Sequence, residues 1–152
     1  MKLYPILLLI LSLAIPLSSV AAPCLHYLGE PVTLSGKVTF RTFYGPPNYG
    51  ENPDTDSRET QAILLLVKPI CVEANPRDYD GAEQNQLEVT LVPLHKENLR
   101  HYVGKRITVH GLLFHANTGH HHTPVLLQID RIGVLRTPTQ PAYPSDPGNL
   151  RK

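Results

Sequence analysis

Four of the chain's eight histidines lie in one eight-residue stretch, at His115, His120, His121 and His122. Neutral imidazole is a common ligand of zinc, copper and nickel, and a metal site needs three or four donors. In an extended segment His120 and His122 point the same way and His121 points the opposite way. The spacing predicts a site for Zn or another divalent transition metal at His115, His120 and His122, with His121 or His110 as a further donor.

The same cluster has two other interpretations. Histidine side chains hydrogen-bond to backbone groups in turns, so these residues could rigidify the tip at Thr118 and Gly119 or contact a polar ligand. They could also be solvated surface residues without a shared role. At acid pH crowded imidazoles become charged and repel one another, which would weaken either ordered arrangement.

A second polar segment, Phe43-Tyr-Gly-Pro-Pro-Asn-Tyr49, opens a long loop over about residues 43–60. Its prolines stiffen it, and Tyr44, Asn48 and Tyr49 offer stacking faces and hydrogen bonds. We take these three residues, together with His121, as candidate ligand-binding residues. Alternatively, the loop only packs its own tyrosines over one end of the fold.

Three acidic loop residues could add carboxylates to a metal or act as a general base, although their loop is expected to be solvated: Glu51, Asp54 and Asp56.

Five segments with strand-like patterns must position these residues. They lie at about 32–41, 61–72, 87–91, 106–114 and 123–134, and Gly36 suggests a bend in the first. A short helix is predicted over Lys96–Val103, ended by Gly104. This order predicts an all-β fold, a small five-stranded OB-like barrel with one short helix between strands 3 and 4. A small open antiparallel sandwich is the alternative.

In such a barrel the loop after the first strand and the loop between the last two strands lie near each other, on the usual binding side. The tyrosine-proline segment and the histidine turn are therefore expected to meet. Tyr44 and Tyr49 would then approach His115 and His122.

The N-terminal segment predicts export. Lys2 precedes an apolar run over Ile6–Ile15, and small residues at Ser19 and Ala21 fit a cleavage site, so 1–21 is interpreted as a signal peptide. An uncleaved membrane anchor is the alternative. Residues 22–136 would form the barrel domain, and 137–152 a proline-rich flexible tail. We expect a periplasmic or secreted protein without stable membrane insertion after signal removal.

The net charge argues against nucleic-acid binding, and the cysteine content predicts a disulfide. Removing Lys2 with the signal peptide leaves 13 of the 14 basic residues against 13 acidic ones. A neutral chain lacks the basic surface that nucleic-acid binding needs. Cys24 and Cys71 are the only cysteines, so an oxidising compartment predicts one disulfide between them. Two free thiols are the alternative.

Several motifs resemble one known family. They include Lys68-Pro-Ile-Cys71-Val, Gly104-Lys-Arg-Ile-Thr-Val-His-Gly111 and Leu113-Phe-His-Ala-Asn-Thr-Gly-His-His-His-Thr-Pro-Val-Leu126. Over about Cys24 to Ile132 the chain resembles the small exported bacterial proteins of the "domain of unknown function 4431" family. The resemblance implies a bacterial envelope protein and supports pairing Cys24 with Cys71, but it implies no activity.

The residues favour a non-catalytic binding module whose site lies between loop 43–60 and the histidine hairpin 115–122. Its ligand would be a small molecule, an envelope polymer or a protein, and not a nucleic acid. The second hypothesis is a protein that binds Zn, Cu or Ni through the hairpin histidines. A metal-dependent hydrolase ranks third, because no convincing general base accompanies the histidines and no nucleophile motif is present.

Overall fold

A computed structural model of the chain describes residues 22–77 and 80–135. The predicted signal peptide at 1–21 and the predicted tail at 137–152 lie outside these residues. The described part contains six β strands and one 3-10 helix. The strands are β1 Leu25–His26, β2 Val32–Tyr44, β3 Arg58–Glu73, β4 Glu83–Pro93, β5 Arg106–His115 and β6 Val125–Val134, and the 3-10 helix is Leu99–Tyr102.

Strands β2 to β6 close into a ring. β2 pairs antiparallel with β3 and with β5, and β5 pairs antiparallel with β6. β6 then pairs parallel with β4, and β4 pairs antiparallel with β3, so each of the five strands has a neighbour on both sides. This connectivity is that of an OB-type barrel. The predicted all-β, five-stranded barrel is confirmed, and the open sandwich is wrong.

The bend suggested at Gly36 is where β2 passes from one partner to the other. Gly36 pairs with Ile107 of β5 and also with Leu66 of β3, and beyond Lys37 the only strand that β2 pairs with is β3. A Cβ added at Gly36 would overlap the carbonyl oxygen of Leu65 and would lie 2.8 Å from Cγ of Leu64. Glycine therefore allows the two backbones to approach closely enough for β2 to curl around the barrel.

The predicted helix over Lys96–Val103 is reduced to the 3-10 helix. Asn98 caps it by accepting a hydrogen bond from the N–H of Arg100, and Leu99 is buried in the core. Val103 leaves the helix because its backbone pairs with Val38 of β2. So short a segment has little helical stability of its own, and sheet pairing prevails.

The core fills the barrel with inward-facing aliphatic side chains. β5 shows the alternation that places them, since Ile107, Val109, Gly111 and Leu113 are buried while the residues between them are partly exposed. The largest fully buried side chains from the other ring strands are Val38, Ile63, Leu64, Val72, Val89, Val125, Leu126, Leu127 and Ile129.

A disulfide joins Cys24 and Cys71, which confirms the predicted pairing. It lies beside β1, a two-residue strand that the sequence did not predict and that pairs parallel with the end of β3, with Leu25 opposite Val72. The cross-link therefore attaches the segment before β2 to the end of β3. Within the described part, no helix is long and apolar enough to span a bilayer.

Candidate functional site

The loop over 45–57, between β2 and β3, meets the loop over 116–124, between β5 and β6. The hydroxyl of Tyr49 lies 3.3 Å from Nε2 of His120. The ring of Tyr49 covers Gly119 so closely that a Cβ added there would lie 2.7 Å from Cζ. From β3, the side-chain amide of Gln61 donates a hydrogen bond to the carbonyl oxygen of His120. The barrel thus brings together the two segments that were expected to meet.

Glu59, the second residue of β3, lies at the centre of this meeting point. One carboxylate oxygen is 2.5 Å from Nδ1 of His120, and the other is 3.2 Å from Nε2 of His122. We call Tyr49, Glu59, His120 and His122 the loop joint. The carboxylate connects two histidines of one loop to the strand that leaves the other.

Desolvation raises the pKa of Glu59, but hydrogen bonds from His122 and His120, and the charges of both, outweigh it. The pKa of Glu59 is therefore lowered. The bonding also indicates a tautomer for His120. If Nδ1–H donates to Glu59, Nε2 is free to accept from the hydroxyl of Tyr49. A hydrogen-bonded chain then runs from Tyr49 through His120 to Glu59.

The loop joint is partly open to solvent. The side chain of His120 is 55% exposed, whereas that of His122 is 13% exposed. Phe43 explains part of the difference, because its ring stacks on the imidazole of His122 with centroids 4.2 Å apart. His122 is thus a fixed, nearly buried support, and His120 and Tyr49 form the accessible side.

Loop 45–57 is held in shape by Asp56. Its buried carboxylate accepts hydrogen bonds from the N–H groups of Asn48, Gly50 and Asn52, at 2.8, 2.7 and 3.3 Å. Desolvation raises the pKa of Asp56, but these backbone hydrogen bonds outweigh it and lower the pKa. The three N–H groups occupy the carboxylate, so Asp56 stabilises the loop that presents Tyr49.

The other loop is fixed to the barrel by Thr123, which is buried. Its hydroxyl oxygen lies 2.7 Å from the hydroxyl of Thr90 on β4 and accepts a hydrogen bond from the N–H of Thr90 at 3.1 Å. The Thr123 hydroxyl itself donates to the carbonyl oxygen of Val125. These hydrogen bonds therefore anchor the C-terminal end of the histidine turn to β4.

Two of the predicted ligand-binding residues make local contacts away from the loop joint. Tyr44 packs under the guanidinium of Arg58, 3.7 Å from the ring centroid. His121 accepts a hydrogen bond from the N–H of Asn117 at Nδ1 and contacts the ring of Phe114 edge-on. Desolvation, followed by the charges of the neighbouring histidines, lowers the pKa of His121. Of the four predicted ligand-binding residues, Tyr49 alone belongs to the loop joint.

The structure does not bring the predicted metal ligands together. His120 and His122 share Glu59, whereas His115 lies 3.8 Å from Asp80 and 3.5 Å from Glu83, with its ring edge-on to Tyr27. Among the residues described, no group of three or more His, Cys, Asp and Glu side chains is arranged to hold a metal ion. Tyr27 is buried in this second environment, and desolvation, then Glu83 and Asp80, raise its pKa to about 12.

His110, the proposed spare donor, also lies apart from the loop joint. Its Nδ1 is 2.7 Å from a carboxylate oxygen of Asp130 on β6. A hydrogen bond from the His110 imidazole, which outweighs desolvation, lowers the pKa of Asp130. This pair joins β5 to β6 on the outer face of the barrel.

Sequence reasoning missed Glu59 and Gln61 as site residues. Both contact His120, one through its ring and the other through its backbone carbonyl. A signal was available, because residues two apart in a strand share a face. Extending the predicted strand back to Arg58 would have placed both side chains toward the same neighbour.

Residues 86–133 match the model of the family described as Domain of unknown function (DUF4431). The match runs from β4 into β6 and includes the whole histidine turn, and it confirms the predicted family. No curated protein and no solved structure gives a significant match to the chain.

Proposed function

We propose that this chain, which matches the DUF4431 family model over residues 86–133, is an exported, non-catalytic binding module whose ligand site is the loop joint. The main support for this proposal is the hydrogen-bonded chain of Tyr49, His120, Glu59 and His122. It connects two loops and leaves the side formed by Tyr49 and His120 exposed to solvent. A site that is already assembled loses little conformational entropy when a ligand binds.

The accessible groups suit a polar ligand. The Tyr49 hydroxyl and the imidazole of His120 can donate or accept hydrogen bonds, and their ring faces can pack against apolar parts of a ligand. Such a ligand would be a small molecule, a segment of an envelope polymer or a loop of a partner protein. Both oxygens of Glu59 are held by histidines, so the carboxylate orients the site and does not serve as a free base.

Two features support export. The first is the apolar N-terminal run followed by small residues, which fits a signal peptide. The second is the disulfide between Cys24 and Cys71, a bond that persists in oxidising compartments. A periplasmic or secreted location follows as part of the proposal.

The test is a screen of a library of small soluble molecules against ¹⁵N-labelled protein, purified without an affinity tag. Amide chemical shifts report which residues each compound affects. Glu59→Gln removes the charge that orients both histidines, and Glu51→Gln on the exposed surface of loop 45–57 is the matched control. A parallel titration with Zn²⁺ tests the metal-binding prediction for His115, His120 and His122.

We expect hits to perturb Tyr49, Glu59 and His120, and to bind at least tenfold more weakly to Glu59→Gln than to the control. Hits that cluster elsewhere, or that bind both variants equally, would exclude the loop joint as the site. Stoichiometric Zn²⁺ binding that requires the histidines would replace this proposal with the metal-binding one.

A further inference from the structure

A groove of about 420 Å³ lies next to the loop joint, on the side of the 3-10 helix. β2, β3 and β4 form its floor, and the segment from Pro93 to Arg100 forms one wall. The volume falls within the range of small-molecule sites, about 300–1,000 Å³. The lining residues that matter below are Phe40, Gln61, Ala62, Leu91, Glu97 and Arg100.

Two acceptor atoms of this lining lack a donor. The side-chain oxygen Oε1 of Gln61 and the carboxylate oxygen Oε2 of Glu97 are shielded from solvent, and within residues 22–77 and 80–135 neither accepts a hydrogen bond. A shielded acceptor without a donor is unfavourable. A donor in the groove would relieve the Glu97 oxygen once that side chain turns outward.

The orientation of the Gln61 amide is fixed by its neighbour. The amide nitrogen donates to the carbonyl oxygen of His120, which can only accept, so the oxygen must be the atom left without a partner. Gln61 therefore lines the groove while its amide nitrogen supports the histidine turn, and its Oε1 stays shielded and without a donor.

The charges in the groove balance. The guanidinium of Arg100 lies 4.7 Å from the centroid of the Phe40 ring and opposes the negative charge of Glu97. Ala62 and Leu91 add apolar surface beside these polar groups. Such a lining favours a neutral ligand with hydroxyl donors, ether or hydroxyl acceptors and an apolar face. A pyranose has all three.

We propose that this groove binds a neutral saccharide. Its hydroxyls donate to Glu97, its oxygens accept from Arg100, and its C–H face packs on the apolar floor. Because Oε2 of Glu97 is shielded, the Glu97 side chain turns toward the ligand as it binds. The site differs from the loop joint and shares with it only the support that Gln61 gives to His120.

The test is an amide chemical-shift titration of the full chain with maltotetraose, cellotetraose and chitotetraose, and with spermidine as a cationic probe. Glu97→Ala and Arg100→Ala each remove one polar contact, and Glu30→Ala, an exposed acidic residue outside the groove, is the control. Arg100 is exposed, so its variant remains informative if Glu97→Ala folds poorly. Thermal unfolding shows whether each variant is folded.

We expect at least one tetrasaccharide to perturb the groove residues and to bind the two groove variants at least tenfold more weakly than the control. Glu59→Gln should leave this binding intact, so failure of the loop joint as a site and failure of the groove are separate results. The proposal is overturned if no tetrasaccharide binds, if the perturbed residues lie at the loop joint, or if spermidine alone binds.

Discussion

Replacing Gly111 with alanine should destabilise the barrel more than any other single methyl group added in the β5–β6 hairpin. Gly111 lies opposite Ile129 at a register shift between the two strands. An added Cβ would overlap the carbonyl oxygen of Gln128 and would lie 2.8 Å from its carbonyl carbon and 3.1 Å from Cα of Ile129. These are backbone atoms, so relief requires moving one strand away from the other.

The expected loss is about 3 kcal/mol in the free energy of unfolding, the upper part of the usual range for overpacking. Urea denaturation followed by circular dichroism measures it. Gly81→Ala is the matched control, because a Cβ there meets no atom within 4 Å, and its effect should stay within about 0.5 kcal/mol. If the two variants differ by less than about 1 kcal/mol, the strands do not approach each other as closely as described.

Three further outcomes are expected. Replacing Cys24 and Cys71 together with alanine should cost about 4 kcal/mol, because the disulfide closes a loop of 47 residues in the unfolded chain; a loss under about 1 kcal/mol in urea would contradict this. Glu59→Gln should destabilise at neutral pH but not in acid. Because the pKa of Glu59 is lowered from 4.5 on folding, its stabilising contribution is present above that value and disappears as pH falls through the lowered pKa; a parent–variant difference equal at both pH values would refute it. Thr123→Val should cost about 1–3 kcal/mol by thermal unfolding, since the buried hydroxyl and N–H of Thr90 lose their shared partner; an unchanged midpoint would argue against those hydrogen bonds.

The ring strands could be predicted from the sequence because their patterns are local. Alternation identified β2 and β4, the hairpin pattern identified β5 and β6, and Gly36 marked the bend. β1 could not be predicted, since two residues carry no periodicity and its pairing depends on β3 being in place. The 3-10 helix was overestimated because the pairing of Val103 with Val38 is a tertiary contact.

The meeting of the two loops followed from strand order, but the identity of the partners did not. His115 has the same parity as the inward-facing residues of β5, such as Leu113, so its side chain points toward Tyr27. Because His115 is close to His120 along the chain, the sequence had predicted that their two imidazoles lie together. Glu59 belonged to a segment interpreted as loop, and its role depends on β3 beginning at Arg58.

The position of β6 in the ring has a consequence for biosynthesis. This strand lies between β4 and β5 and supplies the partner that each lacks on one side. A nascent chain that has not yet produced Val125–Val134 therefore carries two strands with unsatisfied backbone groups, which can pair with other chains. Ribosome stalling or truncation upstream of Val125 should yield aggregating fragments.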